Sequence, residues 1–549
     1  MPRARKTPWV QPLEIQHRVD SDEFFVEVDF ETVTGHRERA VIPRSQMDDP
    51  RGAKRMLAAR GAAIPEDWLK DLQTALQASG CDVVCSTAIL GWHDTSAYLF
   101  PDGAIGRRRS LRPMNPTPAD RCVRGETKNW RLGLKTACEA SSFLTFAVAT
   151  GFAGCMLRRM GQDEGAVFHL IGESSTGKSL ASTAAQSVIE QAGREYMRTH
   201  DLTDRALEED AAACNDSLLV LDEAGRIEGT PAKRLQHMQV LAYKLCGGQG
   251  RKRSARAVAD HALRNVQFLL YGLSSGEEAL DGTGIRRRNE GEQVRLIGIP
   301  IPPREDGGVF DREPSGERRA ELAREVERTI CDHYGRPIRH FVRNFLADEE
   351  AVAKAKNYAG EFIEKVVTAP SPFAERFARK FAVVYAAAML AAEYGVAPWT
   401  RKGARASIRK VHQLAWEIVR PAASAADDLL SWLRHHANDE ALFPEVMKGE
   451  AVEAKAAEKL FGIRRQQSRV SILALLRDRL PELVPASQAD SVLASLKARG
   501  YLLKGKEPGR YVRQLRVQGL LPPRRDYLFF DLARLCGAQR PKEDEADAA

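Results

Sequence analysis

Val167-Phe168-His169-Leu170-Ile171 runs directly into Gly172-Glu173-Ser174-Ser175-Thr176-Gly177-Lys178-Ser179, and that junction decides the fold. An apolar run of this length bounded by glycine reads as a buried strand. The eight residues after it satisfy G-x-x-x-x-G-K-[ST] at each fixed position. The glycines let backbone N–H groups wrap a phosphate chain, and a helix opening at Lys178 turns its positive end the same way. Lys178 is placed to reach the β- and γ-phosphates, and Ser179 to ligate Mg²⁺. ATP and Mg²⁺ are the expected ligands, held by Gly172, Glu173, Ser174, Ser175, Thr176, Gly177, Lys178 and Ser179.

Working outward, further apolar runs alternate with helical patterns. Ser217-Leu218-Leu219-Val220-Leu221 ends in Asp222-Glu223. A strand ending in Asp sets a carboxylate beside the Mg²⁺ shell, and the next Glu can deprotonate the attacking water. Residues 266–272 read as a third strand that ends in Leu273-Ser274-Ser275, where Ser274 or Ser275 is a candidate to sense the γ-phosphate. Residues 294–299 read as a fourth. Strands alternating with helices imply an α/β fold with a largely parallel sheet covered on both faces.

Phosphoryl transfer needs positive charge on the developing phosphate oxygens. The candidates are Arg286, Arg287, Arg288 and Arg295, with Arg376 and Arg379 as a second sensor. Residues 247–256 combine glycines with Arg251, Lys252, Arg253 and Arg256, a composition suited to a loop touching a phosphate backbone.

The composition agrees. Apolar residues make up 43% and charged residues 28% of 549, which excludes a wholly disordered chain or a fibre. Lys and Arg number 82 against 74 Asp and Glu, so a polyanionic partner is permitted. The cysteines are scattered, with no pairing that completes a zinc site, as expected of reduced thiols in the cytoplasm. The basic N-terminus lacks an apolar core, so no secretory leader is expected. The uncharged run 140–157 is rich in Gly, Ser and Thr and reads as a buried helix; no membrane contact is expected.

The flanks divide the chain into 1–139, a mixed α+β domain for DNA binding or oligomerisation; 140–305, the ATPase core; 306–440, a helical lid and connector; 441–520; and 521–549. In the first, Phe24 to Phe30 alternates as a half-buried strand, a second run reaches Ile42, and Asp102-Gly103 marks a hairpin over 97–105. Short helices are expected near 50–60 and 65–78. Residues 107–135 hold nine Lys and Arg against two acids, a second surface for DNA. Residues 455–515 read as three helices followed by a strand pair, a winged-helix pattern.

Taken together, Gly91-Trp92 with the hairpin at 98–103, Phe168 to Ser179, Asn215-Asp216 with Asp222-Glu223, and residues 247–256 with Leu273 to Glu277 resemble the bacterial family known as domain of unknown function 927. Those are helicase-like proteins of plasmids, phages and other mobile elements. Val294-Arg295-Leu296 is similar to the family's arginine strand. The resemblance spans roughly residues 10–440 and implies an AAA+ core of the minichromosome-maintenance or phage primase-helicase kind. It implies a ring of identical subunits, with six the expected number, and ATP sites between them. It also implies 3′→5′ unwinding of single-stranded and forked DNA, 247–256 as a pore hairpin, and Arg295 acting in trans. A primase, a polymerase or an initiator is the kind of partner such a helicase takes. Two alternatives stay open: a DNA-dependent ATPase that does not unwind, and a winged-helix regulator switched by ATP.

Overall fold

The computed structural model describes residues 8–20, 22–77, 80–108, 110–114, 117–249, 267–277, 288–368, 371–419, 422–447, 460–467, 470–484, 488–503, 512–517 and 524–535. By internal contacts the chain forms two units, one of residues 1–280 with 288–413 and one of 281–287 with 414–549.

The core of the first unit begins with helix α1 (Ser142–Ala153), in which every residue is buried. The Ser141 hydroxyl caps it by accepting from Leu144 N–H at 2.8 Å. This is the uncharged run of the sequence, now a core helix. No described helix is long and apolar enough to cross a membrane. Then follow β1 (Ala166–Ile171), α2 (Lys178–Gln186), β2 (Arg198–Thr199), β3 (Leu218–Asp222), α3 (Pro231–Gly247), β4 (Tyr271–Gly276) and β5 (Leu296–Pro300). The five strands are parallel, in the order β5-β1-β4-β3-β2. One strand, β4, therefore separates the strand that enters the glycine loop from the strand that ends in Asp222.

One face of this sheet is aromatic. Phe168 of β1 meets Phe146 of α1 edge-on at 5.0 Å and Tyr271 of β4 at 5.4 Å. Phe381 of a long helix, introduced below, closes the cluster at 5.2 Å from Phe168. Each such ring removed from water contributes about 1.5–3 kcal/mol. The helices expected beyond residue 317 are present, among them α4 (Gly316–Asp332) and α5 (Pro372–Glu393), which carries Phe381.

The third strand differs from its expected place. Among the described residues, which exclude Val266, its parallel pairing starts at Tyr271. The apolar residues before it are buried, but Phe268 N–H donates to Gly248 O at 3.0 Å and Leu269 N–H to the Asn215 side chain at 2.9 Å. Those donors are satisfied by a loop and a side chain, so the ladder begins later, and the serine pair lies near the strand's end, as expected.

Ahead of the core, strands 37–43, 23–31, 10–18, 83–87 and 112–113 form a five-stranded sheet in that spatial order. Helices Pro50–Ala59 and Trp68–Leu76 cover one face, packing Leu57 and Leu72 with Val26, Val28 and Phe30. The strand Val10–Arg18 was not expected; a proline and an irregular register between Pro12 and Glu14 break its alternation. The hairpin of Ala97–Phe100 with Gly103–Gly106 is present.

The second unit departs from the expected order of three helices followed by a strand pair. It contains α6 (Ala422–His436), β6 (Gly462–Gln467), β7 (Val470–Leu476), α7 (Ala489–Ala498), β8 (Val512–Arg516) and β9 (Arg524–Asp531). The strands form one antiparallel sheet in the order β6-β7-β9-β8. Where the first of three helices was expected there is a strand pair. The reason lies in β7, whose two faces fill different cores. Leu473 and Leu475 pack with Leu429, Leu433, Leu493 and Leu496, while Ile472, Ala474 and Leu476 pack with Ile463, Tyr527 and Phe529. A strand buried on both faces loses its alternation and reads as a continuous apolar run, which imitates a helix.

Candidate active site

The glycine loop closes on itself. Thr176 Oγ1 donates to Glu173 O at 2.9 Å. Gly177 has φ +94°, where an added Cβ would stand 2.5 Å from Val309 Cγ2, so both backbone and space demand glycine. Lys178, first residue of α2, is almost fully buried. Its Nζ donates to Gly172 O at 2.7 Å and Glu173 O at 2.6 Å. Burial pulls its pKa down, against the opposing pull of Glu277 and Asp222. The free N–H groups at the start of α2 face the same loop, which makes an anion cradle with a cation inside it.

Register carries the second half of the site to the same edge. Ser274 of β4 lies level with His169 of β1 and Leu221 of β3. One residue on, Ser275 stands level with Asp222. The Ser275 hydroxyl donates to Asp222 Oδ1 and accepts from Glu223 N–H at 3.3 Å. Asp222 is buried; Glu223 is exposed, with φ +55°, which turns the chain sharply at the strand end. Side chains alternate along a strand, so Ser274 turns away. Its hydroxyl is held between His169 Nδ1 at 3.0 Å and His200 Nε2 at 2.7 Å. Burial drives both imidazoles down, His169 to about 3 and His200 to about 4, so this chain is neutral.

A cavity of about 910 Å³ opens over this edge. Ser174 to Ser179, Asp222, Glu223, Ser275 and Glu277 line it. Ser179 and Asp222, both hard oxygen donors, line this same cavity, which suits Mg²⁺, an ion that takes one or two protein ligands and fills its shell with phosphate and water. The far wall holds two residues that the sequence did not single out, Arg304 and Arg319. Arg319, in the first turn of α4, donates to Arg304 O at 3.0 Å. In sequence they sit in a charged loop and a charged helix face, where nothing local separates them from solvated arginines.

The other expected arginines are elsewhere. Arg295 precedes β5 at the opposite end of the sheet, where its carbonyl accepts from Val167 N–H at 2.7 Å. About 13 Å of strand, from Val167 to Ile171, separates it from the glycine loop. It is paired with Glu164 at 2.9 Å and stacked over Tyr243 at 5.0 Å. The same carboxylate takes Lys380 at 3.0 Å and Arg376 at 3.6 Å. Arg379 is exposed on α5 and does not line the cavity. Arg288 is buried and donates to Leu296 O. Arg251, Lys252, Arg253, Arg256, Arg286 and Arg287 lie outside the described residues.

Residues 9–264 match the family described as Domain of unknown function (DUF927). No curated protein matches the chain. Among solved structures, one named "SCCmec type IV Cch - active helicase" is similar over 96% of this chain and 94% of its own, at 16% identity and a TM-score of 0.59. At that identity the likeness establishes a shared fold along nearly the whole chain.

Proposed function

We propose that the protein is an ATP-driven DNA helicase of the AAA+ type that supports replication of a mobile element. The observation that carries this is the meeting of Lys178, Ser179, Asp222, Glu223 and Ser275 around one cavity, at the edge of a sheet ordered β5-β1-β4-β3-β2. The match over residues 9–264 and the fold shared with a structure named as an active helicase support the same reading.

In this reading the glycine loop and Lys178 hold the β- and γ-phosphates, and Ser179 and Asp222 hold Mg²⁺. Bound there, Mg²⁺ supplies neutralisation of the phosphate charge. Glu223, exposed at the cavity, orients and deprotonates the attacking water, while Ser275 keeps Asp222 in place. Arg319 and Arg304 offer positive charge from the chain's own lid. Arg295, at the far end of the sheet from its own cavity, serves a neighbouring subunit's site in a ring, as the resemblance implies, with 3′→5′ polarity on the same ground.

The test is unwinding of a forked duplex with ATP and Mg²⁺. Wild type separates the strands; Lys178→Ala neither hydrolyses nor unwinds; Glu223→Gln binds ATP without turning it over. Hydrolysis without strand separation would replace helicase by a non-unwinding DNA-dependent ATPase.

A further inference from the structure

Within the second unit lies a basic stretch, set between acidic ones, that the nucleotide chemistry does not use. Residues 460–535 hold fifteen Lys and Arg against six Asp and Glu, an excess of nine in a chain whose total excess is eight. An imbalance of that kind speaks to association and not to folding.

Part of it is laid out on the β8–β9 ribbon. The register sets Arg513 opposite Tyr527, Leu515 opposite Arg525 and Arg516 opposite Arg524. The inner part of the ribbon is anchored in the unit's two cores through Leu528 and Phe530 on one face and Tyr527 and Phe529 on the other. Its outer part projects as a charged end. Arg516 and Arg524 are both exposed, and the structure pairs neither with a described carboxylate. Like charges directly opposite on an antiparallel pair are destabilising. The position therefore works against folding unless an anion lies across it. Two more arginines lie on the ribbon's other face, with Tyr527: Arg525, which meets Asp478 at 3.6 Å, and Arg513, whose guanidinium lies 5.4 Å over Phe529. Asp526 is the one acid on the ribbon's outer part, and it faces Gln514.

We propose that this ribbon is a docking surface for the phosphate backbone of nucleic acid, with Arg516 and Arg524 as its principal phosphate contacts. A guanidinium fork matches phosphate oxygens two at a time. A two-stranded ribbon also has the width that the major groove of a duplex admits. The contacts are to phosphate, so they carry position and not sequence. The proposal does not rest on the ATPase reading, because binding to this ribbon needs no hydrolysis.

The experiment measures binding of the full chain to single-stranded and duplex DNA of equal length by fluorescence anisotropy, across about 50–200 mM salt. The variants are Arg516→Gln/Arg524→Gln and Arg516→Lys/Arg524→Lys. Loss of two phosphate contacts lowers the slope of log affinity against log salt by about 1.8 on duplex or about 1.4 on single strands, and which substrate shows the drop names the backbone bound. The lysine pair keeps the charge and restores the slope. ATP turnover without DNA stays at the wild-type rate in both variants, so a failed ribbon and a failed ATPase give different results. Should the glutamine pair melt below wild type, the single substitutions Arg516→Gln and Arg524→Gln take its place, each lowering the slope by about 0.9 on duplex or about 0.7 on single strands. Equal slope and affinity for wild type and the glutamine pair on both substrates would overturn the proposal and turn the ribbon toward an acidic protein partner.

Discussion

The hydroxyl of Ser275 is the hydrogen-bond donor that fixes the Asp222 carboxylate, from one strand to the next. Its neighbour Ser274, one residue earlier, serves two buried histidines instead. The two serines should therefore fail in different ways. Ser275→Ala frees Asp222 to rotate away from Ser179, and turnover should fall by about 10–100-fold with folding intact, the size typical of losing a support for a metal ligand. Ser274→Ala leaves the cavity alone but strips the shared partner from two buried imidazoles, costing about 1–3 kcal/mol of stability. Steady-state hydrolysis beside chemical denaturation separates them. Equal effects of the two substitutions on turnover would remove Ser275 from the site.

The arginines divide by position. Arg319 and Arg304 line the chain's own cavity, whereas Arg295 is held at the sheet's other end by Glu164. Arg319→Ala should weaken ATP binding and hydrolysis in every subunit. If Arg295 acts in trans as proposed, Arg295→Ala should leave binding nearly intact and cost about 10³-fold in turnover, the size known for arginine fingers. A mixture of Arg295→Ala and Lys178→Ala proteins should recover activity, because an interface can then hold a wild-type arginine and a wild-type lysine. Mixed assemblies with no recovery at any ratio would put Arg295 outside the reaction.

Burial also sets a response to pH. His169 is lowered to about 3, and His200 and His412 to about 4, each from an ordinary value near 6.5. As pH falls below 6.5 the unfolded chain takes up protons that the folded chain refuses. Stability is thus present above 6.5 and is lost progressively down to about 4, by roughly 2 kcal/mol per histidine at pH 5. His412, ringed by Phe362, Phe377 and Phe381, is the cleanest to change. His412→Phe should shrink the loss between pH 7 and pH 5 by that amount in urea unfolding. An unchanged pH dependence would show that His412 already takes up its proton in the fold.

How much of this was readable in advance follows from how local each signal is. The glycine loop, Asp222-Glu223 and the hairpin at 97–106 depend on residues adjacent in sequence, and all are present in the structure. The choice between Ser274 and Ser275 depends on the register of β4 against β3, which no single segment contains. Arg304 and Arg319 acquire meaning only when β5 and α4 bring them over the glycine loop. The strand β7 was misread because both of its faces are buried, which erased the period that identifies a strand.

The last prediction concerns the join between that hairpin and the strand that ends in Asp222. Asp216, two residues before β3, is fully buried with φ +51°. Its carboxylate accepts from Trp92 N–H at 3.0 Å and from Arg158 Nε at 2.9 Å. Its carbonyl accepts from the Tyr98 hydroxyl at 2.8 Å. Gly91 completes the fit, since a Cβ there would stand 2.6 Å from Asp216 Oδ2. The carboxyl pKa is raised by burial and held back by Arg158. Asp216→Ala removes the acceptor from both donors and should cost about 2–4 kcal/mol, the lower part of that range because Arg158 is half exposed and can turn to water. Tyr98→Phe removes one neutral hydrogen bond and should cost about 1 kcal/mol. Hydrogen exchange distinguishes a local join from general loosening: in Asp216→Ala, amides of 91–106 and of 218–222 should lose protection together, while the helices from Gly316 onward keep theirs. If the hairpin loosens and β3 does not, the hairpin is only packed against the core, and movement at the N-terminal sheet has no route through Asp216 to Asp222.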